Sequence, residues 1–213
     1  MRYSVHRRSG MLIAAAIAAA VLPGPLAQAP KPPDPRLQQA TRALAERKID
    51  EGLKVLHALG SDPKAGQDDR LKAFWKLLEV YHQKKDVEAA VATTKEMIAA
   101  FPRDDDLLQQ IYFTQANLLG SVRKWDQAVE ACHQVVAHAG NDREKAVVAR
   151  FRAATFLRES KNFAQLYDEA TELLRLLGGD PRAADALWQL TDATWQTGRY
   201  EESLEKARRI LAE

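Results

Sequence analysis

An apolar residue returns along this chain at a nearly constant interval. The five occurrences are Ile49, Val87, Trp125, Phe163 and Tyr200. Each follows a polar or glycine-containing turn and opens a helical pattern. Self-similarity with a period of about 20 to 50 residues is typical of a repeat array. Such an array usually provides a binding surface rather than a reaction vessel.

The segments between these markers carry the periodicity of amphipathic helices. Leu71, Phe74, Leu77, Leu78 and Tyr81 recur at three- and four-residue spacing, which builds one apolar face on a helix. Comparable patterns precede each of the later markers, and a second helical pattern follows every marker. No segment shows the alternation of a β-strand. We therefore predict an all-α fold of about five helix-turn-helix repeats.

Residues 1–29 have the pattern of a secretory signal peptide. Arg2, Arg7 and Arg8 make a basic start, residues 11–22 are uncharged and apolar, and Ala27-Gln28-Ala29 offers small residues at a cleavage site. The apolar run at 11–22 is too short to span a bilayer, which takes roughly 20 residues. We expect cleavage and a periplasmic location, and an uncleaved leader that anchors the chain to the membrane is the alternative.

A proline-rich linker at residues 30–35 separates this leader from the repeats. Three of the 31 basic residues lie in the leader, which leaves 28 Lys and Arg against 29 Asp and Glu. The remaining chain is therefore nearly neutral, and its overall charge gives it no attraction for nucleic acid.

The sequence contains little that is typical of a catalytic or cofactor-binding site. It has no phosphate-binding glycine loop, no nucleophile elbow and no H-E-x-x-H zinc motif. Cys132 is the only cysteine, and we expect it on the apolar face of a helix. A disulfide to another chain is the alternative. Cys132, His133 and His138 form the one local group that resembles a metal site, but their spacing suits zinc poorly. We predict no catalytic residue, no cofactor and no metal.

These repeats resemble the tetratricopeptide repeat family, with units of about 38 residues like those of exported envelope proteins. The resemblance covers roughly residues 35 to 213, with units near 36–63, 71–102, 109–140, 147–181 and 184–213. The last unit matches at Leu187, Leu190, Gly198, Tyr200 and Leu204. The fourth unit departs from the pattern, with Arg150 at a large apolar position and Leu166 at a small one. The resemblance implies a right-handed superhelical array.

In this family the first helix of each unit lines the concave face, where a peptide or protein partner is held. The resemblance places four aromatic residues at one equivalent position of successive first helices, with seven mostly polar neighbours beside them. The predicted binding residues are Trp75, Phe113, Phe151, Trp188, Glu79, His82, Asn117, Thr155, Arg158, Asp192 and Trp195. The alternative is that the four aromatics only pack between adjacent first helices. The family's two-carboxylate clamp is not matched, because its positions carry aromatics and Thr114 or Arg152.

The sequence given stops at Glu213, inside the last second helix and without a polar capping helix. Two interpretations stay open: either the natural polypeptide continues, or the exposed end binds another subunit. We predict a non-catalytic protein- or peptide-binding scaffold of the cell envelope, with self-association through the C-terminal helix as a further kind of partner. The alternative function is a regulatory or substrate-presenting repeat domain of a larger envelope enzyme.

Overall fold

The computed structural model describes residues 32–212, with side chains as far as Arg208, and these residues form ten α-helices. The predicted signal peptide at residues 1–29 and the start of the linker lie outside the described residues. The helices are α1 Pro35–Ala45, α2 Ile49–Gly60, α3 Gln67–Lys84, α4 Val87–Ala100, α5 Asp105–Ser121, α6 Trp125–His138, α7 Arg143–Glu159, α8 Phe163–Leu177, α9 Ala183–Gln196 and α10 Tyr200–Ala212. None of them is long and apolar enough to cross a membrane.

The ten helices form five successive pairs, and every second helix begins at one of the five apolar markers. Each helix packs mainly against the helices before and after it in the chain. Side chains also link alternate helices. Lys145 of α7 reaches Asp106 of α5, and His133 of α6 reaches Glu169 of α8. The first helices therefore neighbour one another along one layer and the second helices along the other, so the all-α repeat prediction is confirmed.

The turn inside each pair has the same backbone form in all five units. Arg47, Lys85, Arg123 and Lys161 have a left-handed backbone with φ between 57° and 62°, and Gly198 has φ 78° at the equivalent position. The residue that follows each of them donates its amide to a carbonyl five positions back, as Asp86 does to Tyr81 at 2.9 Å. This left-handed ending satisfies helix carbonyls that would otherwise lack a partner.

Short acidic or amide side chains start several of the helices. Asp86, Asp104, Asp142 and Asn162 precede α4, α5, α7 and α8, and each accepts a hydrogen bond from the amide of a first-turn residue. Such a cap satisfies one of the free amides of the first turn and contributes about 1 kcal/mol. This local chemistry fixes where the helices begin.

Packing between units depends on pairing a large side chain with a small one. The ring of Phe156 on α7 lies so close to Gly120 on α5 that a Cβ at Gly120 would come within 2.4 Å of it. The same ring meets Trp125 at a centroid distance of 5.9 Å. Cys132 is fully buried in this core, and burial raises the pKa of its thiol to about 12. It therefore serves as a small apolar side chain, as expected.

The fourth unit carries an ion pair at a position where other units have a large apolar side chain. Leu166 fills a fully buried position where two other units have alanine, and Arg150 stands where other units have Phe74 or Leu187. The Arg150 guanidinium donates to the buried carboxylate of Glu169 at 3.0 Å. The second oxygen of Glu169 lies 3.0 Å from Nε2 of His133 on α6. This cluster links three helices of two units.

The hydrogen bond that the ring donates to the Glu169 carboxylate raises the pKa of His133 above its ordinary value of 6.5, and the nearby Glu130 acts in the same direction. Burial and the positive Arg150 oppose the shift. Since the folded state holds the proton more tightly, the stabilising contribution is fully present below the unfolded pKa. It is lost as the pH rises through the folded pKa.

We therefore expect His133→Gln to reduce the free energy of unfolding more at about pH 5 than at about pH 8. Urea unfolding at both pH values measures the difference. His82→Gln is the matched control, because His82 is exposed and has no ion pair within residues 32–212. An equal loss at the two pH values would contradict an ionic role for His133.

Candidate protein-binding surface

The four predicted aromatic residues lie on four successive first helices. Trp75 is on α3, Phe113 on α5, Phe151 on α7 and Trp188 on α9. The first three are half-buried, while Trp188 is 49% exposed. Trp75 and Phe151 also pack against the buried core. These side chains therefore contribute to the core and to the surface at once.

Trp75 and Phe113 line one groove of about 480 Å³ that crosses α3, α5 and α7. On the α7 side Val148 lines it and is 44% exposed. The other lining residues are Asp106, Gln109, Gln110, Thr114, Val135, Glu144 and Lys145. The groove thus brings together the first helices of three successive units. We call it the first-helix groove.

Charged side chains of the first-helix groove are paired with one another or with neighbours. Nζ of Lys145 lies 2.8 Å from the Asp106 carboxylate. The carboxylate of Glu144 receives two hydrogen bonds from Arg182, at 2.7 and 2.9 Å. Gln109 is buried, and its side-chain amide donates to the His138 carbonyl at 2.7 Å. With these charges compensated, the exposed apolar side chains dominate what the groove offers to a ligand.

Trp188, Asp192 and Trp195 line a second groove of about 310 Å³ between α9 and α10. The Trp195 ring packs edge-on against Tyr200, with centroids 4.9 Å apart. The Arg158 guanidinium lies over the Trp188 ring at 5.0 Å, a distance that permits a cation–π attraction. The aromatic series is therefore divided between two grooves, and Phe151 lines neither of them.

The side chains of three of the remaining predicted residues form hydrogen bonds within the protein, and that of the fourth, His82, forms none in the part of the chain that the structure describes. Asn117 accepts a hydrogen bond from Arg152 at 2.9 Å. The Thr155 hydroxyl donates to the Phe151 carbonyl of its own helix. Glu79 accepts from Lys76 and Gln83 on α3. His82 is exposed in the last turn of α3, and neither Glu79 nor His82 lines either groove.

Of the ten residues that line the first-helix groove, the sequence analysis predicted only Trp75 and Phe113; Val148 is the exposed apolar residue among the eight that it missed. The equivalent positions of the other units carry Lys72, Gln110 and Asp185, all polar. An apolar residue at a position that is polar elsewhere in the array is a sign that packing does not require it there. Comparing the units column by column would have found this signal.

Cys132, His133 and His138 do not form one site. Cys132 is buried, His133 faces Glu169, and His138 lies 2.8 Å from Asp105 while its ring stacks on Tyr112. Over residues 32–212, no group of three His, Cys, Asp or Glu side chains is placed to hold a metal ion.

A larger depression of about 830 Å³ lies where the loops between units meet. One of its two arginines, Arg70, stacks on the Phe101 ring at 5.0 Å and donates to the Gly60 carbonyl at 2.9 Å. This side chain therefore holds neighbouring units together.

Comparison with solved structures identifies the architecture as that of tetratricopeptide-like repeat arrays. A putative kinesin light chain of Podosopora anserina with nearly identical TPR-like repeats has a TM-score of 0.56 at 15% identity, over 84% of this chain and 92% of that one. A MamA protein has a TM-score of 0.54 at 12% identity, over 83% and 88%. The apo form of RapI has 0.53 at 12%, over 82% and 67%. No family model and no curated protein sequence matches.

The two outer tryptophans should differ in how much they stabilise the fold. Trp75→Ala removes a half-buried side chain from the core and should reduce the free energy of unfolding by about 2–3 kcal/mol. Trp188→Ala removes a half-exposed ring and one cation–π contact, which should cost about 1 kcal/mol or less. Urea unfolding of both variants measures this. Equal costs would mean that the Trp188 ring is as structural as that of Trp75.

Proposed function

We propose that this protein is a non-catalytic scaffold that binds an extended peptide or a partner helix on the concave face of the array. The first-helix groove is the proposed binding site. The observation that carries the proposal is the alignment of Trp75, Phe113 and the exposed Val148 across three successive first helices. The TPR-like arrays to which the chain is similar support a role in protein interaction.

The physical basis of binding is apolar burial on a preformed surface. Aromatic rings supply a large contact area, and few of their rotatable bonds must be fixed when a ligand binds. The Trp75 side chain already packs against the core, so it would lose little conformational entropy when a ligand binds. The neighbouring ion pairs, Lys145 with Asp106 and Glu144 with Arg182, supply a polar rim. A ligand with two or three apolar side chains would complement this arrangement.

A single substitution should separate the groove from the fold. Val148→Lys places a charge among the groove's apolar side chains and should weaken a bound peptide about tenfold, since burying an unpaired charge is costly. The probe is a peptide selected from a random library on the immobilised protein, and its Kd is measured by calorimetry. Melting should be unchanged, because Val148 is already 44% exposed.

Val122→Lys is the matched control. Val122 is 42% exposed, lies at the end of α5 and lines neither groove. Its substitution should leave the peptide Kd within about twofold of the original, as expected for a residue outside an interface. If the two lysine variants bind the peptide equally well, the first-helix groove is not the binding site.

The envelope role rests on the leader-like residues 1–29 and the proline-rich linker that follows. We expect the protein in the periplasmic fraction, with its N-terminus near residue 30. Cell fractionation followed by N-terminal sequencing checks both points. An intact leader in the membrane fraction would favour the anchored form, and an intact leader in the cytosol would contradict export.

A further inference from the structure

Besides Trp188, three large apolar side chains stand exposed at the last unit of the array. Trp195 is 57% exposed, Tyr200 58% and Leu204 54%. Trp195 contacts Tyr200 and shares the second groove with Leu204, so the three form one continuous surface, here called the tail face. A single exposed apolar residue needs no explanation, whereas a contiguous group of three marks an interaction site.

The repeat itself shows what such positions do elsewhere in the chain. The counterparts of Trp195 in the fourth and third units are Arg158 and Gly120. Arg158 lies over Trp188 of the next unit, and Gly120 lies under Phe156 of the next unit. The counterpart of Tyr200 in the third unit, Trp125, contacts that same Phe156.

Leu204 obeys the same rule. Its counterpart Tyr167 donates a hydrogen bond to Glu202 at 3.2 Å, and the Arg199 guanidinium lies over its ring at 4.2 Å. Both Glu202 and Arg199 belong to the following unit. In the third or fourth unit, each of the three positions of the tail face thus contacts the following unit, whereas His82, at the Trp195 position of the second unit, is exposed. The tail face continues the contacts of those two units.

Charges along α10 are arranged in a self-complementary order. Glu201 and Glu205 lie in its first half and Arg208 in its second half, all exposed. Spacings of four and three positions put them on one flank, beside the stripe of Tyr200 and Leu204. In the described part of the chain, ion pairs of α10 involve Glu202 and not these three residues.

An antiparallel arrangement of two α10 helices uses this order. The same flank of each helix then faces itself, so Glu201 of one copy meets Arg208 of the other, and the contact is repeated by symmetry. The midpoint between Glu201 and Arg208 falls beside Leu204. Both Leu204 side chains would therefore lie next to the two-fold axis.

The opposite end of the array is a poor partner for the tail face. The exposed residues of α1 include Gln38, Gln39, Thr41 and Arg42, all polar. Arg42 occupies the position equivalent to Phe156, the ring that fills the junction in the fourth unit. Head-to-tail stacking of copies would therefore set mostly polar side chains of α1 against the apolar tail face and bury little apolar area, with Arg42 as the one side chain of this set able to stack on its rings.

We propose that two copies of this chain associate through their tail faces, with the α10 helices antiparallel about a two-fold axis. Apolar contact among Trp195, Tyr200 and Leu204 supplies the affinity, and the Glu201–Arg208 pairs set the orientation. This dimer leaves the first-helix groove of each copy free, so it does not depend on the proposed peptide binding.

Sedimentation equilibrium of the purified chain tests the proposal. We expect a mass that rises with concentration toward twice that of the monomer. Leu204→Lys should raise the dimer Kd about tenfold or more, because a charge then stands at the axis in both copies. Val148→Lys, in the first-helix groove, is the control and should dimerise like the original chain. Conversely, Leu204→Lys should keep the Kd of the selected peptide.

Charge reversal tests the antiparallel orientation. Glu201→Arg brings two arginines together twice per dimer and should raise the dimer Kd about fivefold. The double variant Glu201→Arg with Arg208→Glu restores opposite charges and should restore the original Kd. A rescue of this kind cannot come from a general effect on folding.

Three results would contradict the proposal or part of it. A monomer at every concentration would mean that the tail face does not join two copies of this chain. A dimer that Leu204→Lys does not weaken would place the contact elsewhere. If Leu204→Lys abolishes the dimer but the charge double variant does not restore what Glu201→Arg loses, the antiparallel orientation is wrong.

Discussion

The burial of each helix pair between its neighbours is the contact on which this structure depends. A pair of short helices has one apolar face and cannot cover it alone, so the units must stack. The stacking is a close fit of unequal side chains, as where Phe156 packs onto Gly120 and against Trp125. Because the markers that open the second helices recur at a nearly constant interval, the chain forms an array whose units keep a constant relation.

That constant relation begins at the turn inside each unit. Four of the five turns place an arginine or lysine in the left-handed region, where a side chain costs roughly 1 kcal/mol more than glycine would. This left-handed conformation reverses the direction of the chain sharply enough for the second helix to begin two positions later. Equal turns then put Trp75 and Phe113 at equivalent places on adjacent first helices, which is what makes a groove possible.

The sequence predicted the features that follow from local periodicity. Ile49 and Tyr200 each mark the start of a second helix, because apolar spacing and turn residues act within a few positions. The ion pair of Arg150 with Glu169 could not be predicted in this way. It joins side chains of two different helices and also depends on His133 in another unit. The sequence also could not predict that Phe151 lines neither groove, because that depends on how neighbouring helices pack.

The two candidate surfaces differ in how they relate to the packing between units. Val148 is apolar at a position where packing does not require an apolar residue. Its exposed side chain in the first-helix groove is therefore not needed to stabilise the fold. Leu204 occupies a position whose counterpart in the fourth unit contacts the following unit, and here its side chain is 54% exposed. Both proposed surfaces thus present apolar side chains that the packing within the array leaves exposed. Because these side chains are carried by packed helices, binding on either proposed surface would require little ordering of this chain.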